Sequence, residues 1–163
     1  MKNFFKNKKR LVQGFMMVEV LIAASIVVVL TLSMMSVIQR GLVISRQSLH
    51  STQAAFLLEE GAESVRIIRD NAWTNISSLS VATNYYPTFS SNTWTLSLTP
   101  NQVGSFTRTI NISAVNRNAV SGDISNIGTD DSGTKLITVN VSWQESGQTI
   151  TKNLSFYISN IFL

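Results

Sequence analysis

The chain has 163 residues, enough for one folded domain plus an anchor. Its formal charge is +4, but Lys2, Lys6, Lys8, Lys9 and Arg10 all precede Gly14, and without them eight basic residues face nine acids, or −1. The high pI therefore does not point to nucleic acid, and the absence of cysteine removes disulfides, thiol catalysis and Cys-based metal sites.

Chain order begins with the basic cluster Lys8-Lys9-Arg10, then Gly14, then an apolar run from Phe15 to Ile38. A helix needs roughly 20 such residues to cross a membrane. Lys and Arg beside a span favour the cytoplasmic face, so the N-terminus is expected inside and everything after Arg40 outside. One carboxylate, Glu19, interrupts the run. A charge at mid-membrane costs about 2.5–3.5 kcal/mol on insertion scales, so Glu19 needs a partner. Cleavage after Gly14 would supply one, a free α-amino group on Phe15, about one helical turn before Glu19. A secretory signal peptide would have a shorter apolar core and an A-x-A-like cut after it. A plain anchor leaves Glu19 unexplained, and the run is too long and uniform for a buried helix of a soluble enzyme.

This ordered set (basic leader, Gly14-Phe15, Glu19, membrane-length helix) resembles the class III leader of the type IV pilin and pseudopilin superfamily. The detailed match covers residues 1 to about 40. The resemblance implies that a prepilin peptidase cuts between Gly14 and Phe15, that Phe15 is then N-methylated, and that Glu19 is the assembly residue, pairing with the N-terminal amine of a neighbouring subunit. It also implies an inner-membrane assembly platform, other pilin or pseudopilin subunits and membrane lipid as partners, with no cofactor. Many family members carry a C-terminal disulfide loop and a proline where this chain has Ser36; here both are missing, and the kink moves to Gly41 or is lost.

From Phe15 the helix is expected to run without proline to about Asp70, some 85 Å at about 1.5 Å per residue. Its second half carries an apolar stripe at Ala54, Leu58, Val65, Ile68 and Ala72. Gly61 lies near the stripe, where it would let a strand approach closely. Glu59 and Glu63 stand within reach of Arg66 and Arg69, as a solvated face or as contacts to neighbouring subunits.

Residues 71–92 read as an irregular connection, with Tyr85, Tyr86, Pro87 and Phe89 against a sheet edge. Period-two alternation then marks four strands, around Trp94–Leu98, Phe106–Ile112, Ile137–Trp143 and Ile150–Ile158. Pro100–Gly104 is expected to close the first hairpin and Glu145-Ser146-Gly147 the second. The fold class is α+β: a long N-terminal helix, transmembrane in its first half, packed on a four-stranded antiparallel sheet. The expected parts are a cleaved leader at 1–14, a membrane or filament-core helix at 15–40, an amphipathic half at 41–72 and an extracytoplasmic β-domain at 73–163.

Nothing marks an enzyme. His50 is the one histidine, on the expected exposed helix, and there is no phosphate-binding loop, nucleophile elbow or His/Cys metal cluster. Asp123, Asp130 and Asp131 are weak calcium candidates on a long loop at 116–134, but their spacing is not that of an EF-hand and Asp-Asp-Ser-Gly is ordinary turn chemistry. Four Asn-x-Ser sequons are matched by chance composition. The expected function is a structural subunit of a type IV pilus or a type II secretion-like pseudopilus, stored in the cytoplasmic membrane and assembled into an extracellular or periplasmic filament. The rival is a membrane-anchored binding protein that uses the 116–134 loop.

Overall fold

The computed structural model describes the backbone of residues 2–162 and the side chains of residues 15–162. The leader side chains, Lys8, Lys9 and Arg10 among them, lie outside the described residues. The chain divides into two compact units, Met1–Ser48 and Leu49–Leu163. One helix, α1 (Lys2–Asn71), runs through both, as expected of a segment with no proline before Pro87. In the first unit every described side chain is exposed, and the helix is long and apolar enough to cross a membrane by length and composition. Arg69 sits in the last turn of α1, where a cation complements the helix dipole. Asn75, in the short helix α2 (Thr74–Ser77), donates its side-chain amide to the Ile68 carbonyl, 3.3 Å away, and so satisfies one terminal acceptor.

The second unit is α+β, with seven antiparallel strands rather than four: β1 (Asn84–Ser90), β2 (Thr93–Ser97), β3 (Gln102–Val103), β4 (Phe106–Arg117), β5 (Ile124–Ser125), β6 (Thr129–Glu145) and β7 (Gln148–Ser159). The main path is β2-β1-β4-β6-β7, with β3 and β5 pairing on β4. The long strand β7 therefore forms one edge of the sheet. The stripe of α1 packs on the sheet as its spacing requires. Ala54, Leu58, Val65 and Ile68 join Ile110 and Ile112 of β4 and Ile137, Val139 and Val141 of β6 in one core. Each fully buried Val or Ile contributes about 1.5–3 kcal/mol. Gly61 has the role its position suggested: a Cβ there would lie 2.7 Å from Val139 Cγ1 and 3.2 Å from Arg108 Cδ.

Three expectations are corrected. Residues 84–90 are strand β1, and Trp94–Ser97 pairs with it, not with β4. The hairpin turn between them is Ser91-Asn92, both at positive φ, the geometry of a two-residue type I′ connection. Pro100–Gly104 instead leads into the small β3–β4 hairpin, where Val103 pairs with Phe106 and Gly104 takes a φ of +62°. The third correction is the 116–134 loop, about half of which is strand: β4 runs on to Arg117, β6 begins at Thr129 with residues 131–134 bulged out of register with β4, and 118–128 is an excursion within which β5 pairs back on β4. The expected Ser146-Gly147 turn does close β6 on β7, with Glu145 opposite Gln148 and φ of +50° and +78° at the two central residues.

The two sheet faces differ in chemistry. Arg108, Lys135, Glu145 and Lys152 all belong to the face that meets the helix. The opposite face presents Thr107, Thr109, Asn111 and Ser113 from β4. Beside them stand Thr138, Asn140 and Ser142 of β6 and Thr151, Asn153 and Ser155 of β7, none of them charged. Hydrogen bonds run across this face, from Asn140 to Asn111 (2.9 Å), from Asn111 to Asn84 (2.7 Å) and between the Thr138 and Ser155 hydroxyls (3.0 Å).

Candidate functional site on the N-terminal helix

Helical spacing places Phe15, Val18, Glu19, Ile22, Ala23 and Ile26 along one surface of α1. Glu19 is an exposed carboxylate in an apolar patch, one turn after Phe15, which is 80 % exposed. No further charge follows until Arg40. None of the most apolar stretch of this helix is buried. Water is a poor solvent for so long an uncovered apolar surface, and contiguous exposed patches of this kind mark contact with lipid or with other protein.

The hydroxyls within the run are turned inward to the helix backbone. Ser25 donates to the Ile22 carbonyl (2.8 Å), Thr31 to Val28 (2.8 Å), Ser33 to Val29 (2.8 Å) and Ser36 to Leu32 (3.1 Å). A hydroxyl satisfied by the preceding turn needs no water, so these four residues do not spoil the segment for a dry environment. Glu19 is thus the one described polar group between Phe15 and Ile38 whose charge has no partner within the helix. The sequence brought out Gly14, Phe15 and Glu19 together; Gly14 is helical in backbone and its surroundings lie outside the described side chains.

The calcium candidates do not assemble. Asp131 is committed to Arg117, Nε to Oδ2 at 2.6 Å, and its Oδ1 accepts from the Gly133 amide at 2.9 Å. Hydrogen bonds from Thr134 and then Arg117 hold its carboxyl below the usual aspartate range. Asp123 and Asp130 remain exposed, and among the described residues no group of three His, Asp or Glu is placed to hold a metal. His50 is not on a free surface: its ring meets Phe106 edge-on at 6.0 Å and its Nδ1 lies 3.9 Å from Glu145.

Arg108 lies within the Phe106–Ile112 alternation, at the inward register opposite Val141. The structure buries it at 3 % exposure, with Nη1 2.9 Å from Glu60 and 3.3 Å from the Leu57 carbonyl, and its guanidinium over Trp94. The signal available was positional: a charge at an inward register on an otherwise apolar strand face needs a partner from the element that covers it. Comparisons with family models, with curated proteins and with solved structures give no match.

Proposed function

We propose that this chain is a structural subunit of a type IV pilus or a type II secretion-like pseudopilus, made as a precursor and assembled through its N-terminal helix. The observation that carries this reading is Glu19, a single carboxylate one turn after Phe15 on an apolar helix that nothing in its own chain covers. The resemblance of Gly14-Phe15 and the basic residues Lys8, Lys9 and Arg10 to a class III leader adds the processing step. On this reading prepilin peptidase cuts after Gly14 and Phe15 becomes an N-methylated terminus. The helix waits in the cytoplasmic membrane with its N-terminus inside, and an assembly platform then moves it into a filament.

The electrostatics give assembly a direction. In the membrane Glu19 pairs with its own Phe15 amine or reaches the interface. In a filament core the amine of an incoming subunit is removed from water, and an unpaired buried charge costs several kcal/mol. A neighbouring Glu19 removes that cost only at one axial register, so the pair selects register as well as affinity. The role is structural rather than catalytic. A second reading, a membrane-anchored binding protein acting through residues 116–134, draws support from the ordered excursion at 118–128.

The test is the mature N-terminus of the native protein and the behaviour of Glu19→Ala. Mass spectrometry should find a chain that begins with methylated Phe15. Glu19→Ala as the only copy should be processed and inserted normally yet be lost from sheared surface or periplasmic filaments. A native chain that keeps Met1, or normal filament yield from the variant, would overturn the reading.

A further inference from the structure

At the far end of β4 the ladder shifts register between Ala114 and Asn116, and the chain leaves the sheet at Asn118. The excursion that follows is tightly built. Arg117 donates to the Gly122 carbonyl at 2.9 Å while it holds Asp131. The Asn118 side-chain oxygen accepts from the Val120 amide at 2.8 Å, and the Asn118 backbone N–H donates to the Asp123 carbonyl at 2.9 Å. The return passes through Gly128, where a Cβ would stand 2.0 Å from the Arg117 carbonyl oxygen. β5 pairs back onto Asn116 and Arg117, which fixes the excursion beside the sheet.

Between β5 and the end of the sheet lies a recess of about 200 Å³. Leu136 and Ile124 give it apolar walls, and Tyr157, opposite Leu136 in the ladder, stands at its rim with half its surface free. Asn116, Ser125 and Asn126 supply the polar lining. Among the described residues the Asn116 and Asn126 carboxamides and the Tyr157 hydroxyl make no hydrogen bond. No charged side chain lines the recess. It opens beside the uncharged outer face described above, since Leu136 and Tyr157 continue the outward registers of β6 and β7.

This chemistry narrows the ligand. A phosphate, carboxylate or ammonium would be taken from water with no opposite charge to receive it. A purely apolar ligand would cover three polar side chains and leave them unpaired, which is unfavourable for each buried group. A neutral sugar residue meets both demands. Its C–H face suits Tyr157 and Leu136, and its hydroxyls suit carboxamides that donate and accept together. We propose that the recess and the adjoining outer face of β6 and β7 form a binding site for a neutral glycan, one sugar seated against Tyr157 and the chain running along the Thr, Ser and Asn rows. The site goes beyond the filament role and does not depend on it, because every residue in it belongs to the second compact unit.

The full chain, held in a sugar-free zwitterionic detergent, is the material for the test. Saturation-transfer NMR is run with chito-, cello-, manno- and malto-oligosaccharides, with sialyllactose and a heparin fragment as charged probes. At least one neutral probe should receive saturation. Tyr157→Ala and Asn126→Ala, both at exposed positions, should each weaken it at least tenfold at an unchanged melting temperature. Absence of transfer to every neutral probe, transfer to the charged probes alone, or binding indifferent to both substitutions would overturn the proposal; in the last case the surface serves protein contact or solubility instead. None of these outcomes bears on whether Gly14 is cut.

Discussion

Arg108 and Arg66 show how burial decides the value of an ion pair. Arg66 and Glu63 are 3.1 Å apart with half or more of each side chain in water, and such pairs contribute about 0.2–1 kcal/mol. Arg108 and Glu60 are 2.9 Å apart, but the arginine is 3 % exposed and its Nε has no partner. Loss of the carboxylate would leave a buried cation with one carbonyl and the face of Trp94. Glu60→Gln should therefore lower stability by about 1–3 kcal/mol, against less than about 0.5 for Glu63→Gln, as read by urea unfolding. Asp131 makes a pH-dependent contribution. Its folded carboxyl sits below the ordinary value of 3.8, so its contribution is fully present above that pH and is lost as pH falls through the folded value. Asp131→Asn should lower the melting temperature at pH 7, and the gap to the parent should close as the pH drops below about 4.

At the scale of elements, α1 and its stripe were legible because one physical rule fixes both. Residues spaced three and four apart share a helix face, and a face that is apolar must be covered. Val65 is fully buried in that face, so Val65→Ala should cost about 1–3 kcal/mol in thermal or chemical unfolding, and an unchanged midpoint would remove the stripe from the core. The Ile137–Trp143 part of β6 was equally legible through its strict alternation, whereas its start at Thr129 was not. β1 was not, and the reason lies in its turn. Ser91-Asn92 takes positive φ at two residues without a glycine, whereas Pro100 and Gly104 advertise a turn more loudly and drew the hairpin to the wrong place. The 118–128 excursion was hidden for a related reason. Its order comes from Arg117 reaching Asp131 and Gly122, and from a glycine packed on a carbonyl, contacts with no period to detect. The candidate residues at Gly14, Phe15 and Glu19 could be read because a lone charge in an apolar run is conspicuous by itself; the recess at Tyr157 could not, because it exists only once β4, β5, β6 and β7 are paired.

For the whole molecule, the outermost strand raises a problem of self-association. β7 is twelve residues long, contains no proline and carries hydrophobic side chains at Ile150, Leu154, Phe156 and Ile158. Among the described residues no strand pairs with its outer backbone groups. Such an edge is a template for another strand, and its defence is a charge placed where an added strand would have to bury it. Lys152 is the only charge on β7, set on the helix side opposite buried Val141, with its ammonium bonded to the Ser51 hydroxyl. It acts as a gatekeeper: a strand docking beside β7 would have to desolvate that ammonium. Lys152→Leu should leave the fold within about 0.5 kcal/mol of the parent. With the apolar helix held in detergent, it should also turn the protein into one that self-associates with rising concentration in sedimentation velocity, with a gain of β signal in circular dichroism. Parent-like monomers at all concentrations would show that another feature guards this edge. A filament assembled as proposed would then owe part of its order to one lysine that keeps a second, amyloid-like mode of growth closed.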